Sequence, residues 1–147
     1  MKIKNTFKQK LITCDINDNL EMVSKLMKDN DIGFLPITDH NKIVGVITDR
    51  DIVIRGIALD TKDLQLIMST NLVCIDINKS IDEAFNLYIK HRIKRLLITE
   101  NNNIIGVLSI SDILKSDYQK ERILEVIKNI FSESSVDNNV EIDTFYL

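Results

Sequence analysis

The sequence predicts an α+β fold: two βαββα repeats packed about a pseudo-two-fold axis, followed by one C-terminal helix. Three observations lead there. Residues 11–54 align with residues 72–115 at a constant offset of 61 without a gap. Fifteen of the 44 paired positions are identical, among them Asp15/Asp76, Leu35/Leu96, Gly45/Gly106 and Asp51/Asp112. Two copies are too few for a solenoid, so a pair folding against itself is the natural arrangement. Finally, each copy of about 50–60 residues would be marginal alone, whereas a chain of this length hides roughly 68–70% of its unfolded surface. The copies are therefore expected to share a core.

In the first copy, Leu11–Cys14 is a short apolar run ended by Asp15-Ile16-Asn17-Asp18, the pattern of a buried strand. Asn19 then caps a helix whose apolar stripe is Leu20, Val23, Leu26 and Met27. In the second copy, Ser80 and Glu83 form a capping box, and Ile81, Ala84, Leu87 and Tyr88 repeat the stripe. Phe34–Thr38 and Leu96–Thr99 are expected as strands. The polar turns at Asp39–Asn41 and Glu100–Asn103 join them as hairpins to Ile43–Thr48 and Ile104–Ser109. A last helix should begin near Asp49 and near Ser111. The organisation is then 1–57 for the first repeat and 58–116 for the second. A helix with no counterpart follows at 117–131, with Ile123, Ile127, Ile130 and Phe131 on one face. That helix is either a cap on the core or a dimerisation or partner surface. The polar tail at 132–147 is expected to be mobile.

Composition narrows the function. A net charge of −3 argues against a nucleic-acid partner, whose affinity comes from clustered Lys and Arg. Cys14 and Cys74 both lie in apolar runs and are expected as buried free thiols of a reducing compartment, with a disulfide as the alternative. The first eleven residues lack the apolar stretch of a signal peptide, and no run approaches the 18 or so apolar residues of a membrane span. A soluble cytoplasmic protein without nucleic-acid or membrane partners is the expectation.

The most specific segments are Gly45-Val-Ile-Thr-Asp-Arg-Asp51 and Gly106-Val-Leu-Ser-Ile-Ser-Asp112. A glycine in a strand allows close approach of a backbone or ligand. Three residues on, Thr48 or Ser109 stands where strand gives way to helix, a place suited to anions. Three further on, Asp51 or Asp112 offers a carboxylate that accepts hydrogen bonds from a ribose diol. The same spacing has a purely structural alternative, in which the hydroxyls are N-caps and the acids favour the helix dipole.

These signatures, with Phe34-Leu-Pro-Ile-Thr-Asp and Lys94-Arg-Leu-Leu-Ile-Thr-Glu before the hairpins, resemble CBS domains, the cystathionine-β-synthase-type repeats that pair as Bateman modules. The resemblance spans roughly residues 5–115. It implies two clefts between the repeats that take adenine nucleotides (AMP, ADP, ATP) or S-adenosylmethionine-like ligands, in a module that regulates and requires no cofactor. It further implies a homodimer, a flat disc joined through the helices beside the motifs, and a regulated partner protein that the sequence does not name. Residue by residue, Asp51 and Asp112 match the ribose-binding acids. Thr48 and Ser109 match the hydroxyl positions, with Arg50 and Ser111 adjacent. The lead-in segments place Gln9 and Leu11 beside Asp112, and Thr70 and Leu72 beside Asp51. Gly33 and Phe34, and Lys94 and Arg95, occupy the second-strand positions. Lys94 and Arg95 are candidates for meeting phosphate; their alternative is a solvated basic edge.

The copies are unequal. Pro36 becomes Leu97, Gly33-Phe34 becomes Lys94-Arg95, and Asp49 becomes Ile110. The Asp112 site is thus better suited to a phosphorylated ligand, with the Asp51 site holding a nucleoside or nothing. Catalysis finds little support. His40 and His91 belong to no metal or nucleophile motif, and no metal site is expected. Asp15–Asn19 resembles the start of a calcium loop, but Leu20 and Leu26 stand where glycine and glutamate are required. The remaining rival is a ligand-independent scaffold or dimerisation module.

Overall fold

The computed structural model describes residues 1–7, 11–116 and 120–132. The chain divides into two compact units, one of Ile12–Leu72 and one that joins Met1–Leu11 to the chain from Val73 onward. Gln9, the first residues of the expected 117–131 helix and nearly all of the 132–147 tail lie outside the described residues.

The first unit runs β1 (Cys14–Asp15), α1 (Leu20–Asn30), β2 (Phe34–Asp39), β3 (Lys42–Thr48), α2 (Asp49–Asp51) and α3 (Leu64–Ile67). After Asp51 the helix widens into π-type turns over Ile52–Ile57. The second unit runs β4 (Cys74–Asp76), α4 (Ile81–His91), β5 (Arg95–Glu100), β6 (Asn103–Ser109), α5 (Ile110–Leu114) and α6 (Lys120–Phe131). Each unit has one three-stranded sheet, ordered β1-β2-β3 or β4-β5-β6, with the first pair parallel and the second antiparallel. A parallel pair needs a crossover, and the capped helices α1 and α4 supply it. Asn19 accepts from the Met22 backbone N–H at 2.8 Å, and Ser80 and Glu83 cap each other.

Both hairpins turn through two left-handed residues, His40-Asn41 and Asn101-Asn102, with φ between 47° and 64°. Two consecutive positive φ values make a type I′ turn, whose twist matches the flanking strands, and asparagine tolerates it. Each hairpin also carries a bulge, after Ile37 and after Ile98. The repeat thus preserves backbone irregularities as well as elements.

Each unit has its own apolar core. Leu35, Ile37 and Ile47 of the sheet meet Leu20, Val23 and Met27 of α1 in the first; Leu96, Ile98 and Leu108 meet Ile81, Ala84, Phe85 and Tyr88 of α4 in the second. Helix α6 packs on α4 and α5 through Ile123, Val126 and Ile130. Val126 replaces the expected Phe131 on the buried face, because the 3.6-residue period carries position 131 out to the surface.

The lead-in segments pack with the copy other than the one they precede in sequence. Ile3 is fully buried in the second core, and residues 1–4 bond to the 77–81 backbone. Leu64 and Ile67 are buried in the first core. Cys14 is buried as expected, but Cys74 is exposed, which corrects its expected burial. The repeat alignment explains this: Cys14 pairs with Ile75, whereas Cys74 pairs with Thr13, one residue out of phase on a period-two strand. Burial pushes the Cys14 thiol up to about 12. A thiol-specific reagent at pH 8 is therefore expected to titrate one cysteine in the native chain, Cys74, and two after denaturation.

Candidate functional site

At the end of β6, Ser109 leaves the strand with extended backbone and caps α5. Its hydroxyl accepts from the Asp112 backbone N–H at 3.2 Å and donates to Asp112 Oδ2 at 2.6 Å; the Ser109 backbone N–H reaches the same oxygen at 2.9 Å. The structural alternative for this motif therefore holds, since serine and acid do cap the helix. That role uses one carboxylate oxygen. Oδ1 of Asp112 bonds no other described residue, and no ion pair joins Asp112 to one. The half-buried Asp112 lines a cavity of about 450 Å³ together with Asn5, Thr6, Phe7, Val107, Leu108, Lys115 and Ser116. That volume lies within the roughly 300–1,000 Å³ range of small-molecule sites.

Gly106 shapes one wall. It sits in β6 beneath the Phe7 ring, where an added Cβ would overlap the ring. The missing side chain is what lets the N-terminal segment lie against the strand. Gly106→Ala is expected to push Phe7 aside at a cost of about 1–2 kcal/mol in urea unfolding and to weaken any ligand of the cavity. At Gly33 the obstacle is only the exposed Asp49 carboxylate, so Gly33→Ala should be nearly silent.

The first copy builds the same cap from Thr48 and Asp51, with Oδ2 accepting from the Thr48 backbone at 2.9 Å and hydroxyl at 2.8 Å. Here both residues are buried, Thr48 at 2% and Asp51 at 4% exposure. The second oxygen is taken as well: Asp51 Oδ1 pairs with Arg55 Nε at 3.7 Å. The repeat puts Ser116 at the position of Arg55.

Arg95 pairs across the hairpin with Ser109 and is half-buried, as Phe34 pairs with Thr48. Ser111 is exposed, 2.7 Å from the Ser109 hydroxyl. Lys94 lies with its ammonium 4.3 Å from the centre of the Phe131 ring, a cation–π contact with the end of α6. Partial desolvation, and then the charge of Arg95, lower its pKa. Leu11 is half-buried. Thr70, exposed, and Leu72, half-buried, follow the Val46–Ser69 bridge. Arg50 is exposed beside Asp49, and the Gly33 carbonyl accepts from the Asp49 backbone.

Sequence reasoning missed Asn5, Thr6, Phe7, Lys115, Ser116 and Arg55. The last had a visible signal, an acid and a base four apart on one helix. The cavity residues at 5–7 had none, because they lie outside the repeat. Among the described residues no cluster of His, Cys, Asp and Glu could hold a metal ion, and no helix is long and apolar enough to cross a membrane.

Comparison with known proteins shows the family. The CBS domain family profile matches residues 4–56 and again 62–118. "Uncharacterized protein YlbB" of Bacillus subtilis is 32% identical over 145 residues, covering 95% of this chain and 96% of its own. An uncharacterized conserved protein of Pyrococcus horikoshii superposes with a TM-score of 0.73 at 29% identity, over 81% of this chain and 93% of its own. The CBS domain pair of protein MJ0100, solved with 5′-methylthioadenosine and S-adenosyl-L-methionine, gives 0.73 at 24% identity over 79% and 94%. At that identity the likeness speaks to fold alone. Two consecutive matches, two copies of one sheet order and two copies of one cap place the chain in the CBS domain family, as a CBS pair.

Proposed function

We propose that this CBS pair is a non-catalytic, cytoplasmic ligand-sensing module that holds an adenosine-type ligand at Asp112 and passes its occupancy to a partner protein. The observation that carries the reading is the Asp112 carboxylate itself. One oxygen is fixed by the Ser109 cap, the other is left unused by the described residues, and the group borders a cavity of about 450 Å³. Such a carboxylate is held in place by its own helix, so a ribose diol can meet it without first ordering it. Lys115 adds a cation at the same cavity, suited to phosphate or carboxylate. Phe7, Val107 and Leu108 supply the apolar surface a purine ring needs. MJ0100, a protein of the same fold, holds two adenosyl ligands, which supports this choice of ligand class.

Lys94 and Arg95 are second-rank contacts in this reading, Lys94 because Phe131 already engages it. Self-association fits the exposed Val53, Ile54 and Ile57 on the π-type turns beside the first motif.

A melting screen with AMP, ADP, ATP and S-adenosylmethionine tests the proposal. A ligand at 100 times its dissociation constant contributes about 2.7 kcal/mol, or roughly 5–10 °C for a chain of this size. No shift from any of them at saturation would favour the ligand-independent scaffold.

A further inference from the structure

The copies share the acid and its cap but differ four residues further on. In the first, the helix continues past Asp51 through π-type turns, which bring Arg55 back over the carboxylate. Arg55 is held from a second side, with a guanidinium nitrogen 3.5 Å from the Ile67 carbonyl at the end of α3. Its side chain is 18% exposed and that of Asp51 only 5%. A diol could reach Asp51 only by displacing an ion pair that is largely out of water, and breaking a buried pair costs far more than breaking a surface one.

In the second copy, α5 stops at Leu114. The Ser116 backbone N–H bonds the Ile113 carbonyl at 3.0 Å, and its hydroxyl donates to the same carbonyl at 2.6 Å. Ser116 is thereby turned back on its own helix and leaves Asp112 to the cavity that both border.

We infer that the residue four positions after the acid decides which copy binds: Arg55 closes the first copy by occupying Asp51, and Ser116 keeps the second open. This rests on the ligand-sensing reading of the Asp112 cavity. It makes the one-site character of the pair a consequence of an internal counter-ion rather than of cavity size.

The test installs the closing residue where it is absent. The full chain and its Ser116→Arg and Ser116→Gln variants are titrated by calorimetry with AMP and, separately, with S-adenosylmethionine. Glutamine controls for bulk without charge. Ser116→Arg should bind both ligands at least tenfold more weakly than Ser116→Gln. The AMP result decides, because an added cation that merely faced the cavity would strengthen binding of an anionic ligand. Equal affinities of the Arg and Gln variants, or two ligands per parent chain, would overturn the inference and leave the ligand-sensing reading standing. No binding of either ligand to the parent or to Ser116→Gln would overturn both.

Discussion

Asp112→Asn is expected to abolish stabilisation by adenosine ligands while leaving the ligand-free protein almost unchanged. Asparagine keeps an oxygen for the Ser109 backbone N–H, so most of the cap survives, and the loss should stay below about 1 kcal/mol. What changes is the atom left for the ligand. The carboxylate offers an acceptor to a diol, whereas the amide offers an NH2 group and sets donor against donor. A hydrogen bond to a charged group contributes about 1.5–3 kcal/mol, and a diol makes two. Affinity should therefore fall at least about 150-fold. In a melting experiment the ligand-induced rise seen in the parent should vanish, with the ligand-free midpoint moving by no more than about 3 °C.

Asp51→Ala should behave in the opposite way, as a stability lesion. It removes the Thr48–Asp51 capping box and takes the carboxylate away from Arg55, whose side chain is 18% exposed. Breaking a buried pair from one side destabilises by about 3–5 kcal/mol. Because Arg55 retains some water and the Ile67 carbonyl, about 3 kcal/mol is expected in urea unfolding, a fall of roughly 6–12 °C in the melting midpoint. Adenosine-ligand affinity at Asp112 should be unchanged in the folded protein. A loss under about 1 kcal/mol would show that the pair contributes no more than a surface contact. The two acids, equivalent in the repeat, are thus expected to separate into one that holds the fold and one that holds ligand.

Much of this was legible in the residues. The repeat, the capped helices and the hairpins follow from periodicity and turn chemistry, which act over a few neighbours. The Gly-hydroxyl-acid motif was legible too, together with the ambiguity it carries. At Ser109 and Asp112 the capping and ligand-facing roles coexist, because a carboxylate has two oxygens and the cap uses one. What stayed hidden depended on partners distant in sequence. Phe7 meets Gly106 only because the N-terminal segment packs with the second copy. Lys94 looked like a phosphate ligand until α6 brought Phe131 under it. Cys74 shows a different failure: its apolar surroundings suggested burial, while its phase in the repeat, opposite Thr13, already pointed outward.

Calorimetric titration of the full chain with the adenine nucleotides and S-adenosylmethionine, alongside Asp112→Asn, decides whether this CBS pair binds one adenosine-type ligand through Asp112. The expected result is one ligand per chain for at least one of these compounds, and none for the variant. Absence of binding by every compound at saturating concentration, or binding that survives in Asp112→Asn, would contradict it.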